Sequence, residues 1–119
     1  MKYLVDTNQI IYAINNSINI KAGFYYISFI TEIELLSYPK LDLEEEIKIK
    51  QLLQCFNIID VNTFIKDNTI TIRRKTHLKI PDALIVATAL YLDATLVTND
   101  KEIARLNFIN TITIDELVG

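Results

Sequence analysis

Four acidic residues are the part of this sequence best suited to chemistry: Asp6, Glu34, Asp82 and Asp100. Asp6, Glu34 and Asp100 each come soon after a predicted strand, and Asp82 opens an apolar helix directly after Pro81. In a parallel α/β sheet the carboxyl ends of the strands share one edge, so acids that are far apart in sequence meet there. Carboxylates gathered at one edge repel each other, and bound divalent cations relieve that repulsion. The pattern therefore predicts a metal-dependent enzyme.

Strands that alternate with helices predict an α/β fold, in which a parallel sheet carries helices on both faces. Five strands are predicted, at residues 2–5, 24–30, 56–61, 95–98 and 110–114. Helices are predicted at residues 7–16, 32–37, 42–55, 81–93 and 101–106. Residues 62–76 fit either element, because residues 69–72 favour a strand while the spacing of Ile65, Ile72 and Thr76 permits a helix.

The composition limits the class of protein. A chain of 119 residues, half of them hydrophobic, has the size of one domain, residues 1–119. Its longest apolar run, residues 83–92, is too short to cross a bilayer. Asp6 lies where a signal peptide would need its apolar centre, so we expect a cytoplasmic protein with no membrane association. The single cysteine and single histidine, Cys55 and His77, exclude an internal disulfide and a Cys/His zinc site, and we expect Cys55 in the core.

Asp6 and Glu34 also have structural interpretations that need no ligand. Asp6 is well placed to cap the helix that follows it, a role in which Asp is favoured by about 1 kcal/mol. Thr31 and Glu34 match the capping box, in which a Thr caps the start of a helix and a Glu three residues later caps the Thr in return. A capping Glu34 would still lie near the edge of the sheet, so the two roles are compatible.

Asp82 and Asp100 have similar alternatives. The helix dipole alone favours Asp82 near a helix N-terminus, although the helix is otherwise apolar. Asn99 with Glu102 would form another capping box, which makes Asp100 an ordinary first-turn acid. Thr98 serves equally well as a ligand-positioning hydroxyl or as a cap. No one acid is specific by itself, but capping does not require four acids at four strand-to-helix junctions.

Four segments stand out by their order and spacing. They are residues 4–8 (Leu-Val-Asp-Thr-Asn), 27–35 (Ile-Ser-Phe-Ile-Thr-Glu-Ile-Glu-Leu), 81–89 (Pro-Asp-Ala-Leu-Ile-Val-Ala-Thr-Ala) and 96–100 (Leu-Val-Thr-Asn-Asp). Together these segments resemble the PIN domain, and in particular the small VapC-like ribonuclease toxins of bacterial toxin–antitoxin modules. The resemblance runs from Tyr3 to about Leu117 and so covers nearly the whole chain.

The resemblance implies a three-layer α/β sandwich whose five-stranded parallel sheet has the order 3-2-1-4-5, with residues 62–76 helical. It also implies a ribonuclease that hydrolyses RNA phosphodiester bonds with Mg²⁺ or Mn²⁺, leaving a 5′-phosphate and a 3′-hydroxyl. We expect Asp6 and Asp100 to be the main metal ligands, with Asp82 and Glu34 completing the shell directly or through water. The residues that the resemblance assigns to the site are the acidic quartet Asp6, Glu34, Asp82 and Asp100, the polar neighbour Thr98, the supporting Asn8 and a less regular acid, Glu102.

Protein partners follow from the same resemblance. A cognate antitoxin would cover the site, and a second copy of the chain would form a homodimer. Tyr25, Tyr38 and Phe108 are candidates for self-association, although they equally suit the core. The link between the first helix and the second strand is short and poor in glycine, which departs from the family pattern and leaves little surface for RNA there.

The charges are unevenly distributed along the chain. The net charge is −3, which argues weakly against nonspecific binding of nucleic acid over the whole surface. Residues 66–79 carry a local excess of positive charge, whereas residues 42–46 are acidic. Since a negative pocket needs cations nearby to bind RNA, the basic residues are candidates for RNA contact, with a solvated helix face as the alternative. These candidates are Arg73, Arg74, Lys75 and Lys79.

Three other functions are compatible with parts of the pattern. A PIN-like module that only binds RNA or a protein partner would have no reason to keep four mutually repelling acids. A haloacid-dehalogenase-like phosphatase also has an acid after its first strand, but it needs a second acid two residues later, where this chain has Asn8. A response-regulator receiver needs adjacent acids before its first helix and a lysine after a late strand, and neither is present. The metal-dependent ribonuclease is therefore the preferred hypothesis.

Overall fold

The computed structural model describes residues 1–20 and 24–119. Its strands are β1 (Lys2–Val5), β2 (Phe24–Ser28), β3 (Asn57–Ile59), β4 (Thr95–Val97) and β5 (Thr111–Ile112). Its helices are α1 (Thr7–Asn15), α2 (Phe29–Leu36), α3 (Leu43–Leu53), α4 (Thr63–Lys75), α5 (Ile80–Leu92), α6 (Lys101–Ala104) and α7 (Ile114–Val118). The link between α1 and β2 includes residues 21–23, which lie outside the described residues.

The five strands form one parallel sheet in the order β3-β2-β1-β4-β5, as predicted. Strand β1 is central: Leu4 is in register with Tyr26 of β2 on one side and with Leu96 of β4 on the other. Because every strand points the same way, the strands that precede α1, α2 and α6 all end at one edge of the sheet. This is the edge at which the sequence predicts that the acids meet.

Two hydrophobic cores cover the two faces of the sheet. Leu4 and Leu96 point into one core with α4, α5 and α6, whereas their neighbours Val5 and Val97 point into the other with α1, α2, α3 and α7. Successive side chains of a strand face opposite sides, so a strand buried on both faces needs a continuous apolar run. The short apolar segments of β1 and β4 meet that need, and the result is the three-layer arrangement.

Helix α5 places Asp82 at the carboxyl edge of the sheet. Pro81 lies in its first turn, where the fixed φ of proline suits the helix and the missing N–H is not needed. The helix is buried over most of its surface, as its apolar sequence predicts, and it ends at Asp93, which adopts a left-handed conformation with φ of 54°. A short turn then leads directly into β4, so the start of α5 lies at the opposite edge, where the strands end.

Residues 62–76, which propensity leaves undecided, form helix α4 as the resemblance implies. The helix packs against α5 in the opposite direction: Phe64 near its start lies 5.8 Å, between ring centroids, from Tyr91 near the end of α5. The two helices together bury Ile65 and Ile72. Burial of this face decides in favour of the helix over the local β propensity of residues 69–72.

Several predicted boundaries and placements are wrong. Strand β2 ends at Ser28, so α2 begins three residues earlier than predicted. The last predicted strand, residues 110–114, is only two residues long, and Ile114 instead begins helix α7 behind the capping Thr113. Cys55, expected in the core, is exposed because it lies in the turn after α3. No helix in residues 1–20 and 24–119 is long and apolar enough to span a membrane.

Candidate active site

Asp6 is held at the centre of the carboxyl edge. Its backbone N–H continues the ladder of the sheet by donating to the carbonyl oxygen of Val97 at 3.0 Å. Asp6 is also the N-cap residue of α1, but its side chain makes no capping hydrogen bond. The carboxylate instead accepts a hydrogen bond from the Thr98 hydroxyl at 2.8 Å and is only 6% exposed. The capping interpretation of this side chain is therefore wrong.

Thr98 connects Asp6 to Asp100. Its backbone N–H donates to the carbonyl oxygen of Ile112 at 2.9 Å, which fixes the end of β4 against β5. Its hydroxyl donates to Oδ2 of Asp6 and accepts from the backbone N–H of Asp100 at 3.0 Å. A hydroxyl has one hydrogen and two lone pairs, so both bonds are satisfied at once. Thr98 thus positions one carboxylate relative to the backbone that carries another, which agrees with its predicted place beside the quartet.

Asp100 is the N-cap residue of α6. Its Oδ1 accepts hydrogen bonds from the backbone N–H groups of Glu102 at 2.8 Å and Ile103 at 3.2 Å. The predicted capping box of Asn99 and Glu102 is therefore wrong, since the cap lies one residue later. Both capping bonds reach the same oxygen, and the other carboxylate oxygen, Oδ2, receives no bond from the described residues. A capping role and a ligand role are compatible in this side chain.

Glu34 is oriented by a chain of two hydroxyl groups. The Thr7 hydroxyl lies 2.8 Å from Oε1 of Glu34 and 2.9 Å from the Thr31 hydroxyl. Because Thr7 has one hydroxyl hydrogen, we assign it to the carboxylate, and Thr31 then donates to Thr7. The predicted capping box of Thr31 and Glu34 is wrong: Ser28 caps α2 by accepting from the Ile30 N–H, which places Thr31 inside the helix.

Thr7 and Thr31 are not predicted from the sequence as site residues. Both are buried, at 7% and 0% exposure. A signal for Thr7 exists, because a hydroxyl directly after a strand-terminal acid lies at the same edge as that acid. Thr31 lies three residues before Glu34, which places the two side chains on the same face of α2. From both positions a threonine hydroxyl orients the carboxylate of Glu34, directly or through its neighbour, and within the described part of the chain leaves the other carboxylate oxygen free to bind a ligand.

The carboxylates from four parts of the chain act on one another. Burial raises the pKa of Asp6 above 3.8, and the nearby charges of Asp82 and Asp100 raise it further, while the hydrogen bond from Thr98 opposes the rise. Burial also raises the pKa of Asp82, and the charges of Asp100 and Glu34 add to that effect. We call these four residues, Asp6, Glu34, Asp82 and Asp100, the acidic edge. The fold brings together side chains that are 94 residues apart in sequence.

The donor atoms of the acidic edge suit hard divalent cations. Carboxylate oxygens are the ligands that Mg²⁺ and Mn²⁺ prefer. No three acidic, His or Cys side chains in the described part of the chain are arranged to hold an ion as they stand. Mg²⁺ does not need such a cage, because it usually keeps several waters and binds through one or two carboxylates together with substrate phosphate. The donor set therefore suits a hard divalent cation that keeps several of its own waters.

The other predicted residues lie around this site. Asn8 is exposed in the first turn of α1, next to Thr7. Lys79 is the N-cap residue of α5, and its positive charge opposes the rise in the pKa of Asp82. Glu102, in the first turn of α6, adds to that rise. The remaining basic candidates, exposed in the last turn of α4, are Arg73, Arg74 and Lys75.

The chain is similar to known proteins over nearly its whole length. The family model of the PIN domain matches residues 3–109. One solved structure is a toxin–antitoxin complex from Klebsiella pneumoniae, with 28% identity over 94% of this chain and 97% of the other, and a TM-score of 0.80. VapBC2 from Rickettsia felis, bound to a DNA fragment from its promoter, has 27% identity over 95% and 98%, with a TM-score of 0.83.

A third similar structure is VapBC-1 from nontypeable Haemophilus influenzae, with 26% identity over 95% of this chain and 98% of the other and a TM-score of 0.80. No curated protein matches the chain at a significant level. These comparisons confirm the resemblance to VapC-like proteins that the four sequence segments indicate. The family model matches residues 3–109, which are 107 of the 119 residues of this chain, so the chain belongs to the PIN domain family.

Proposed function

We propose that this protein is a metal-dependent endoribonuclease that hydrolyses RNA phosphodiester bonds at the acidic edge, and that it is the toxin of a toxin–antitoxin pair. The observation that carries the proposal is the convergence of Asp6, Asp82 and Asp100 at one edge, where the charges of Asp82 and Asp100 raise the pKa of Asp6 and the charge of Asp100 raises the pKa of Asp82. Carboxylates that are partly desolvated and form no ion pair with a described residue suit the binding of divalent cations. Membership of the PIN domain family supports the same conclusion.

The four acidic side chains have two kinds of role in the proposed site. Asp6 and Asp100 are the main ligands for Mg²⁺ or Mn²⁺, because the Thr98 hydroxyl links the carboxylate of Asp6 to the backbone N–H of Asp100. Asp82 and Glu34 complete the shell directly or through water, and Asn8 supports it from α1. When bound, such an ion acts as a Lewis acid that activates water and stabilises the negative charge on phosphate.

The cations near the acidic edge are proposed to attract RNA to a site that is itself negative. Lys79 is the best placed of the four candidates, since its charge acts on Asp82. Arg73 is tied to the loop that precedes α5, where its Nε donates to the carbonyl oxygen of Leu78 at 3.4 Å. Arg74 and Lys75 follow on the same turn. These cations would contact RNA phosphates, which predicts an affinity that falls as salt rises.

The partners are proposed from the relatives. The Klebsiella pneumoniae structure is a toxin–antitoxin complex, and the Rickettsia felis and Haemophilus influenzae structures are VapBC complexes. By analogy, a cognate antitoxin covers the acidic edge, and two copies of this chain form a homodimer. For self-association the exposed Tyr38 and Phe108 remain available, whereas Tyr25 is buried in the core. An enzyme that acts on cellular RNA under the control of an antitoxin would work in the cytoplasm.

The test is RNA cleavage by the purified protein. A mixed single-stranded RNA pool is incubated with Mg²⁺, with Mn²⁺ or with EDTA, and the ends of the products are mapped. We expect cleavage with either metal, none with EDTA, and products with a 5′-phosphate and a 3′-hydroxyl. Asp6→Asn should remove the activity while circular dichroism shows that the fold is retained.

Asp67→Asn is the matched control, because Asp67 is an exposed acid on α4 outside the acidic edge. It should cut RNA at the wild-type rate. Equal cleavage by wild-type protein and Asp6→Asn would contradict the assignment of the site. A folded wild-type protein that binds neither Mn²⁺ nor RNA would contradict the nuclease proposal as a whole and favour a module that binds only a protein partner.

A further inference from the structure

A small cavity lies between the loop that joins α4 to α5 and the short helix α6. Its volume is about 210 Å³. Ligand pockets for whole small molecules usually measure about 300–1,000 Å³, so this cavity has room for a smaller group. The loop contributes three residues, and α6 with the two residues after it contributes the other three; the lining consists of Thr76, His77, Leu78, Glu102, Arg105 and Leu106.

This cavity adjoins the acidic edge. Glu102, which lines it, is close enough to Asp82 to raise the pKa of that carboxyl group. Leu78, on the opposite wall, directly precedes Lys79, whose charge also acts on Asp82. Asp100 is the N-cap residue of α6 and Arg105 is its C-cap residue, so a single helical turn separates an acid of the site from the cation of the cavity.

Arg105 is available to a ligand. Its side chain is exposed, and it ends α6 as the C-cap residue. The ion pairs of residues 1–20 and 24–119 both lie on α3, so Arg105 is not paired with Glu102 although the two residues line the same cavity. Arginine is always charged, and its planar guanidinium binds phosphate through two parallel hydrogen bonds.

The remaining walls suit a nucleotide backbone. The exposed His77 provides a second group that donates hydrogen bonds or stacks on a base, and Thr76 provides a hydroxyl. Leu78 and Leu106 form an apolar surface against which a ribose would pack. A cation is needed on this side, because Glu102 and the acidic edge would otherwise repel the RNA strand over several nucleotides.

We infer that this cavity binds a backbone phosphate of the RNA strand next to the phosphodiester that is cut, with Arg105 as the principal contact and His77 as the second. The inference rests on the proposed ribonuclease function, and it adds a binding site to it. Arg105 and His77 lie outside the basic residues that the sequence suggests for RNA contact. The cavity therefore predicts that substrate affinity depends on α6 as well as on the end of α4.

The test compares Arg105→Gln with wild-type protein on a short fluorescein-labelled single-stranded RNA that the wild-type protein cuts. We expect KM to rise about fivefold, the effect of losing one exposed ion pair, while kcat stays unchanged. RNA binding is then measured in the Asp6→Asn background at several salt concentrations. The slope of log affinity against log salt should become shallower by about 0.7, as expected for one lost phosphate contact in single-stranded RNA.

Two further variants serve as controls. Arg105→Lys keeps the charge but loses the two-bond geometry, so the salt slope should be restored while KM is restored only in part. Lys50→Gln makes the same change in net charge on α3 and should leave KM and the salt slope at their wild-type values.

A KM and a salt slope for Arg105→Gln that equal those of Lys50→Gln would overturn the inference, even though the wild-type protein cuts RNA. Failure of the proposed function has a different result, namely no metal-dependent cleavage by wild-type protein itself.

Discussion

This protein has two groups of Asp and Glu residues that differ in their surroundings. The first is the acidic edge, whose members are scattered along the sequence. The second is the α3 acid run, which consists of Asp42, Glu44, Glu45 and Glu46. By density in the sequence, the α3 acid run is the more conspicuous of the two. By environment, only the acidic edge has the properties of a reactive site.

The α3 acid run is explained by helix stability alone. Asp42 caps α3 by accepting a hydrogen bond from the backbone N–H of Glu45 at 2.8 Å. The acids of the first turn interact favourably with the positive, N-terminal end of the helix dipole. Glu44 and Glu46 pair with lysines one turn later, with N–O distances of 3.6 and 3.7 Å. All of these charges remain in contact with solvent. Each acid in this group therefore contributes a little to stability and is individually dispensable.

The charges of the acidic edge lower the stability of the fold instead of raising it. Asp6 is buried, and no described residue forms an ion pair with it or with Asp82. Burial and mutual repulsion raise the pKa of both groups, so their charged forms destabilise the fold. Charges that destabilise the fold in this way indicate a functional role. The comparison shows that convergence in space, and not density in sequence, distinguishes a site from a solvated surface.

The largest difference between the two groups should be in catalysis. Asp100→Asn is expected to lower RNA cleavage at least about hundredfold, because even changes outside the direct metal shell cost about 10–100-fold. Asn still accepts the capping hydrogen bonds at Oδ1, so helix α6 should persist. Glu45→Gln on α3 should leave the rate unchanged. Cleavage rates measured at saturating Mn²⁺ compare the two, and similar losses in both variants would remove the distinction.

Thr98→Val should affect both activity and stability. The change leaves the carboxylate of Asp6 and the N–H of Asp100 without their shared partner. Leaving buried polar groups unpaired costs about 1–3 kcal/mol of unfolding free energy, and misplaced carboxylates should lower cleavage on the order of tenfold. Urea titration and cleavage rates measure the two effects. Thr98→Ser retains the hydroxyl and should restore most of both; a Ser variant as impaired as the Val variant would show that packing of the methyl group matters instead.

The pH dependence of stability should reveal the cost of burying the charge of Asp6. The pKa of Asp6 is above 3.8 in the folded protein, so the fold binds its proton to higher pH than the unfolded chain does. The cost of ionising Asp6 is therefore absent below pH 3.8, grows as pH rises towards the folded pKa, and is fully present above the folded pKa.

Asp6→Asn removes this cost. In EDTA it should raise the free energy of unfolding at neutral pH, and the gain should vanish as pH falls towards 3.8. Added Mn²⁺ should reverse the order, since the ion stabilises only the protein that binds it. Thermal unfolding in EDTA and in Mn²⁺ measures both effects. A destabilised Asp6→Asn variant in EDTA at neutral pH would show that the charge of Asp6 stabilises the fold.

The smallest effect should come from the α3 acid run. Glu44→Gln removes an exposed pair with Lys48, and pairs of this spacing contribute about 0.3–0.5 kcal/mol. The loss should shrink as salt screens the pair. Urea titrations at low and high salt give the two values, and a loss above about 1 kcal/mol would place Glu44 in a network that the structure does not show.

The sheet is well predicted from the sequence because its signals are local. Short apolar runs mark β1 and β4. Strands that are buried on both faces are typical of a parallel sheet covered by helices, so these runs also indicate the type of sheet. Helix α4 is the exception, since residues 69–72 favour a strand and only packing against α5 makes them helical. The order of the strands follows from the family resemblance, because no local pattern specifies which strands become neighbours.

The hydrogen bonds of the site are less predictable. Two segments match the same Thr-x-x-Glu capping pattern, Thr31 to Glu34 and Thr113 to Glu116. Only the second is a capping box, because α7 begins directly after Thr113 whereas α2 begins before Thr31. The start of α2 depends on where β2 leaves the sheet, and that is decided by pairing with β1 and β3. The link from Thr7 to Glu34 joins two helices and so has no local signature.

The most direct test of the central claim is Mn²⁺ binding to the folded protein, followed by electron paramagnetic resonance. Four proteins are compared: wild type, Asp6→Asn, Asp100→Asn and the α3 variant Glu45→Gln. If residues 94 positions apart form one metal site, Asp6→Asn and Asp100→Asn should each weaken binding by at least about tenfold. Glu45→Gln should bind as wild type does. Equal Mn²⁺ binding by all four proteins would contradict the account, because the acidic edge would then hold no metal.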